Sequence, residues 1–536
     1  MAGGNYLKIE NVAISNGVVK VVSGRYNHEI DRGGLAAIQL VFNVEAEPLV
    51  PFFGNIESSG TFSDATWTPP RSDDAWDFSE DHNAYLCVSN TGAATVTLDE
   101  QIALKKFALV GEGDLTLAWS AGALADIPVI DFSDHAGRQY LAADPGAKRI
   151  VVGAATYLPH GGTAHVEIPA AGKVMLDGAT WNGMIVNTAG GYVIVTNTCS
   201  YTISGADISS GNVVLGAGAA LTLHAVGGNK TYKVTGSDDG TSSLFLTSDR
   251  SWGLFQGSSF RDVRFVTPSN WDFWLEYLYA VNNSVHLELG GKLHLGEKDG
   301  YAACTFEIGG LSGEGDIKKE GDYTVTLRVD VSRGDCTYGG DIADVNLHVV
   351  GGHMLRLNGI CASELRAENA DVVIAGSVGK VTNSGRTVTF TGAGASTGDV
   401  VDGGWGTIVF DTTAVKAARD IAVTEGTLVV GTNAYTTVDR VTFAWSGNVI
   451  RAEMDAASGK SGRLHATGAV DLTGVSGACD GLNASRQNVL LMTAAGGFTN
   501  VDGTSDASHC RLFTRTYQNV PALYYGKRAG LMVVVR

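Results

Sequence analysis

Gly385-Arg386-Thr387-Val388-Thr389-Phe390, Gly406-Thr407-Ile408-Val409-Phe410, Gly426-Thr427-Leu428-Val429-Val430 and Gly447-Asn448-Val449-Ile450 are four versions of one short phrase. Their leading glycines fall 21, 20 and 21 residues apart. Each phrase is a glycine followed by a run in which every second residue is aliphatic or aromatic, the period of a strand with one buried face. Three earlier copies, Gly172-Lys173-Val174-Met175-Leu176, Gly191-Tyr192-Val193-Ile194-Val195 and Gly211-Asn212-Val213-Val214-Leu215, have glycines 19 and 20 residues apart. Looser copies begin at Gly92, Gly113, Gly146 and Gly291.

A unit of about 20 residues with one strong strand cannot hide its own apolar face, so such units must stack on one another. The reading is therefore an all-β chain folded as a long right-handed parallel β-helix, a solenoid in which glycine serves the sharp corners. Antiparallel sandwiches are the competing architecture, but they call for turn signals every ~8–12 residues. Asn-Gly pairs occur only at Asn16-Gly17, Asn182-Gly183 and Asn358-Gly359. The repeat is expected over 91–480. Residues 1–90 hold four of the ten prolines and read as a distinct N-terminal region or cap, and 481–536 as C-terminal capping strands.

Composition agrees. Glycine contributes 70 of 536 residues while charged residues make up only 18%, against a usual ~25%. The formal net charge of -18 sets the molecule against phosphate backbones, so nucleic acid is not an expected partner. No apolar run reaches the ~18 residues that would suggest a membrane helix. Seven scattered cysteines make no Cys-x-x-Cys pair, and an odd number cannot all pair internally; buried free thiols are the expectation.

Residues 311–349 resemble the autotransporter-associated β-strand repeat of bacterial passenger regions, in which glycines frame strands ahead of a Tyr-x-Gly-Gly type of turn. Leu311, Gly313, Gly315, Ile317, Lys319, Gly321, Val325 and Leu327 match its first part. Tyr338, Gly339, Gly340, Ile342, Leu347 and Val349 match the remainder. Residues 421–431 are similar to its second half. The resemblance implies a secreted β-helix, although the outer-membrane barrel usual in that family has no counterpart in this sequence.

Catalytic patterns are sparse. Glycosidic hydrolysis needs two carboxylates across a bond, and elimination needs a base beside a charge-neutralising cation. Asp73-Asp74, Asp238-Asp239 and Gly352-His353 are the nearest fragments, and His82, His135 and His160 stand alone. No metal centre and no cofactor is expected; the acidic run from Asp73 to Asp81 matches no calcium loop.

Aromatic residues crowd 252–279, where Trp271, Trp274, Leu275 and Leu278 fall at helical spacing and suggest a short helix. Core filling is the plainer use of these rings. The sharper one makes Trp252, Trp271, Trp274 and Tyr277 a surface that stacks on a ligand or partner.

The expected function is that of a non-catalytic extracellular or cell-surface rod with a structural, scaffold or adhesion role. Glycans or a surface protein are its expected partners, with self-association a further option. A polysaccharide lyase or hydrolase and a phage tailspike-like fibre are the alternatives.

Overall fold

A computed structural model divides the chain into two units, Met1–Leu49 and Val50–Arg536. It describes residues 51–68 and 82–527, except 101, 121–124, 128, 143–148, 154, 159–161, 163–164, 169–171, 182–184, 188–191, 205–211, 227–232, 248–251, 254–258, 270–271, 276–280, 297–302, 456, 481–487 and 502–509. The described residues form a parallel β-solenoid. No helix among them is long and apolar enough to cross a membrane.

The glycine-led phrases become strands of shared sheets, and they lie in register. Val388, Ile408, Leu428 and Ile450 follow one another across neighbouring coils, as do Phe390, Phe410, Val430 and Ala452. All eight side chains are fully buried. The earlier phrases repeat the arrangement, with Val174, Val193 and Val213 in one column and Leu176, Val195 and Leu215 in the next. Strict alternation of inward and outward residues in Lys173–Asp177 and Tyr192–Thr196 follows from the pleat, which sends successive side chains to opposite faces. Burying each such Val, Leu, Ile or Phe contributes roughly 1.5–3 kcal/mol. Phe390 and Phe410 also stack face to face, centroids 4.9 Å apart and planes at 6°.

The strands fall into four large sheets, two that share the earlier coils and two that share the later ones. An eight-stranded sheet runs from Phe52–Ile56 to Ile185–Asn187, and a ten-stranded sheet from Gly60–Thr61 to Ser259–Arg261. A fifteen-stranded sheet then extends from Thr180–Trp181 to Ser476–Asp480, and a nineteen-stranded one from Trp252–Gly253 to Val520–Gly526. Parallel pairing already joins Phe52–Ile56 to Asn83–Val88, ahead of residue 91. Coil length varies while the pairing holds. Leu355 pairs with Val372, then Val388, Ile408, Leu428 and Ile450 follow, giving steps of 17, 16, 20, 20 and 22 residues. Slack is taken up in turns, because a one-residue slip within a strand would turn its apolar face outward.

The repeated glycine does two different jobs. Gly385 and Gly447 have φ of +107° and +99°, a region that side chains resist. Gly406 and Gly426 do not; there a Cβ would run into the side chain of Asp402. Asp402 is fully buried with Asn383, whose Nδ2 donates to Asp402 Oδ1 at 3.2 Å and to the Arg386 carbonyl at 2.8 Å. Asp402 Oδ2 and Asn383 Oδ1 have no partner. Burial pushes the Asp402 carboxyl up to about 7, against a partial downward pull from the Asn383 amide.

A second polar insertion interrupts the column of the ten-stranded sheet, where Gln139 and Thr156 stand between Leu115 and Val174. Both are fully buried. Thr156 Oγ1 donates to Gln139 Oε1 at 2.8 Å and accepts the Gly153 N–H at 3.2 Å. Gln139 Nε2 donates to the carbonyls of His135 and Gly137.

The two ends of this solenoid depart from parallel pairing. Thr66–Thr68 lies antiparallel to Phe52–Ile56. At the other end Arg511–Tyr517 and Val520–Gly526 form a hairpin that pairs antiparallel with Asn488–Ala494. Its Leu512 and Tyr525 side chains lie against Gly477 in the last strand of the fifteen-stranded sheet. Leu512, Leu523 and Tyr525 are all buried, so the hairpin seals the open end of the core.

Candidate functional site

The crowded aromatic segment supplies mainly core. Phe260, Phe265 and Phe273 are fully buried and pack edge to face or tilted, centroids 5.1 and 5.4 Å apart. The helix expected around Trp271–Leu278 is corrected by the structure: Asp272–Leu275 is a strand, with Phe273 and Leu275 inward. Helical and strand periods both suit Trp271 and Leu275, and the inward demand of Phe273 decides for the strand. Trp271 and Tyr277 lie outside the described residues. Trp252 belongs to the short strand Trp252–Gly253, with its side chain likewise outside the description.

Trp274 is described, and it faces outward, half-buried. Its ring stacks on His294 in the next coil, centroids 4.2 Å apart and planes at 16°. His294 Nδ1 meets Glu320 Oε1 at 2.6 Å, and Lys318 Nζ meets the same oxygen at 3.0 Å. These two bonds hold the Glu320 carboxyl below its ordinary range. With Asp272 Oδ1 3.9 Å from His294 Nε2, the cluster places two carboxylates around one imidazole. The Glu320 carboxyl is thus held away from the proton-donating range, which suits a structural charge cluster better than a general acid. No group of three or more metal-ligating side chains is gathered among the described residues.

The isolated acids and histidines resolve simply. Asp239 accepts hydrogen bonds from Ser237 and Thr241, which lower its carboxyl, and so serves its own turn. His353 is exposed and 3.6 Å from Asp335. His135 is buried against the Gly113 carbonyl, and burial lowers its pKa. Asp73, Asp74 and His160 lie outside the described residues. No disulfide joins the seven cysteines; five of them are buried, and burial pushes the Cys361 thiol up to about 11. They behave as small apolar side chains.

A groove of about 490 Å3 lies where the capping hairpin leans over the nineteen-stranded sheet. Its floor is the outward face of three strands, Tyr435–Phe443, Arg463–Ala466 and Asn488–Ala494. Register sets the order across the floor: Tyr435 pairs with Arg463, Thr437 with His465, and His465 with Thr493. The wall is the hairpin tip. Gln518 and Asn519 both have positive φ, at 50° and 65°, which reverses the chain in two residues and brings Tyr517 over the floor.

Arg463 is the centre of this groove. Its Nη2 donates to Tyr435 Oη at 2.6 Å. Its guanidinium carbon lies 4.6 Å from the centre of the Tyr435 ring and 5.3 Å from that of Tyr517. His465 Nδ1 and Thr493 Oγ1 are 2.8 Å apart. Tyr435 is 63% exposed and neighbouring Val415 91%, so aromatic and aliphatic surface stands open beside hydroxyls. Among the described residues, none lining the groove is Asp or Glu. Elsewhere the rings of Trp405 and Trp445 also stand exposed, Trp405 in the left-handed backbone region at φ +55°.

The sequence pointed to none of these groove residues. Tyr435 and Arg463 are 28 positions apart rather than 20, because the intervening coil carries the turn between Met454 and Ser461. Comparison with protein-family models and with curated proteins finds no match.

Proposed function

We propose that this protein is a non-catalytic extracellular or cell-surface rod of the passenger type, which holds a saccharide in the groove under its capping hairpin. The observation that carries this reading is the open platform of Tyr435, Arg463 and Tyr517. Rings present flat apolar faces and hydroxyl edges together, the combination that suits a sugar, whose faces are apolar and whose rim is polar. Thr437, Thr493 and His465 add hydrogen-bonding groups within the same volume. A groove of this size falls in the range of about 300–1,000 Å3 typical of small-ligand sites. Hydrolysis finds no support in it, since no carboxylate pair lines the walls among the described residues. The resemblance of residues 311–349 to passenger repeats supports the surface location.

A polysaccharide lyase is the second reading, favoured by Arg463 lying 2.6 Å from the Tyr435 phenol. A cation and a potential proton acceptor side by side are the elements of elimination next to a carboxylate. Glycan-array binding followed by incubation of each bound glycan with the protein separates the two. Retention without unsaturated products is expected; turnover that is abolished in Tyr435→Phe would establish the lyase instead. Absence of any saccharide binding would remove both.

A further inference from the structure

On the outer face of the nineteen-stranded sheet, several cations are answered by acids one coil away. Arg419 forms a two-pronged pair with Asp399, at 2.8 and 2.6 Å. Arg440 reaches Asp420 and Lys416 reaches Asp439, each at 2.6 Å. Arg328 is paired with Glu307 in the same manner. In a chain of net charge -18, acids are abundant enough to make such pairing the ordinary state of an outward cation.

At Arg463 the residue one coil back is Tyr435 rather than an acid. Its neighbours are two aromatic faces and a phenol oxygen, and no carboxylate stands within salt-bridge distance among the described residues. A guanidinium has five N–H donors, and the phenols of Tyr435 and Tyr517 take two. The tyrosines hold the planar group in place through their rings and phenols while leaving its remaining donors unspent. The described residues lining the groove around it include no Asp or Glu to repel an incoming anion.

We propose that the groove selects an anionic saccharide, with a carboxylate or sulfate of the sugar received by Arg463, which stands between Tyr435 and Tyr517, and the sugar ring laid against the exposed side of Tyr435. This rests on the saccharide reading above and assigns the chemical class of the ligand. A planar fork matches the two oxygens of a carboxylate or sulfate with paired, charge-assisted hydrogen bonds. The ligand completes the pattern of the sheet by supplying the acid that the preceding coil omits.

The test is calorimetric titration of the full chain with three probes: an oligogalacturonide, a heparin-derived oligosaccharide and a neutral xylo-oligosaccharide. The expected result is binding of one or both acidic probes, weakening with added salt, and little binding of the neutral one. Binding of the galacturonide alone assigns the anion as a carboxylate, and of the heparin fragment alone as a sulfate. Arg463→Gln should weaken acidic binding by roughly 10- to 100-fold, the span expected for hydrogen bonds to a charged group. Arg463→Lys, which keeps the charge and loses the fork, should fall between. An unchanged melting temperature in both variants shows that the loss is one of recognition. Equal binding of all three probes, unaffected by Arg463→Gln, overturns the anionic selection and leaves saccharide binding standing. Failure of all three overturns both.

Discussion

Gln139 with Thr156 and Asn383 with Asp402 are two ways of placing polar side chains inside an apolar column, and they differ in whether the bonds close. In the earlier coils Gln139 and Thr156 use each other and three backbone groups, and no atom of either pair member is left over. In the later coils Asn383 and Asp402 share one bond and leave an acceptor oxygen each. Closed neutral networks add little cost to a core, whereas an unpartnered carboxylate in the same setting carries the desolvation of a charge. The first insertion is therefore indifferent to pH and the second is not.

Replacing the acid should have the largest effect. Asp402 in the folded chain keeps its proton to about pH 7, while the unfolded group releases it near 3.8. The folded state thus binds the proton more tightly, and stability falls as pH rises through that window before levelling above it. Three units correspond to about 4 kcal/mol. Asp402→Asn should raise the unfolding free energy measured by urea denaturation by an amount approaching this at pH 8, with the gain vanishing near pH 4. Equal stability of variant and parent at both pH values would erase the contrast between the two insertions.

Gly426→Ala comes next. Its new Cβ would collide with Asp402 Oδ2 and the Gly406 carbonyl, and overpacking of this kind costs roughly 1–3 kcal/mol. Part of that loss should return in an Asp402→Ala background, and a double-mutant cycle on urea denaturation measures how much. Strict additivity would mean that the glycine serves the backbone alone.

Thr156→Val should have the smallest effect, about 1–2 kcal/mol, by orphaning Gln139 Oε1 and the Gly153 N–H. Its cost should be the same at pH 5 and pH 8. A pH-dependent loss there would show that the closed network is coupled to a titrating neighbour such as His135.

The strands were legible in the sequence because alternation is a local signal, and Val388, Ile408, Leu428 and Ile450 announce their column without help from elsewhere. The uses of the glycines were not. Gly385 and Gly406 look alike in sequence, yet one serves an angle and the other makes room for a carboxylate contributed by a separate strand. Of the aromatic surface expected at Trp252, Trp271, Trp274 and Tyr277, Trp274 is seen to spend its face on His294. The groove escaped notice because its parts come from Thr413 to Val520, brought together by coils of unequal length. Its wall depends on a reversal at Gln518-Asn519, which carries none of the glycine that usually marks a two-residue hairpin.

The antiparallel hairpin that seals the core also gives the stack a last step. A pile of like coils offers at its top the same template that each coil offered the one before, so nothing in the repeat itself tells growth to stop. Reversing the chain direction at Val520–Gly526 changes the template, and the outermost strand, Arg511–Tyr517, meets an arriving chain with Arg511 and Arg515. Length in such a molecule is set by its terminator, and a copy lacking that hairpin would have lost its full stop and become a seed for filaments.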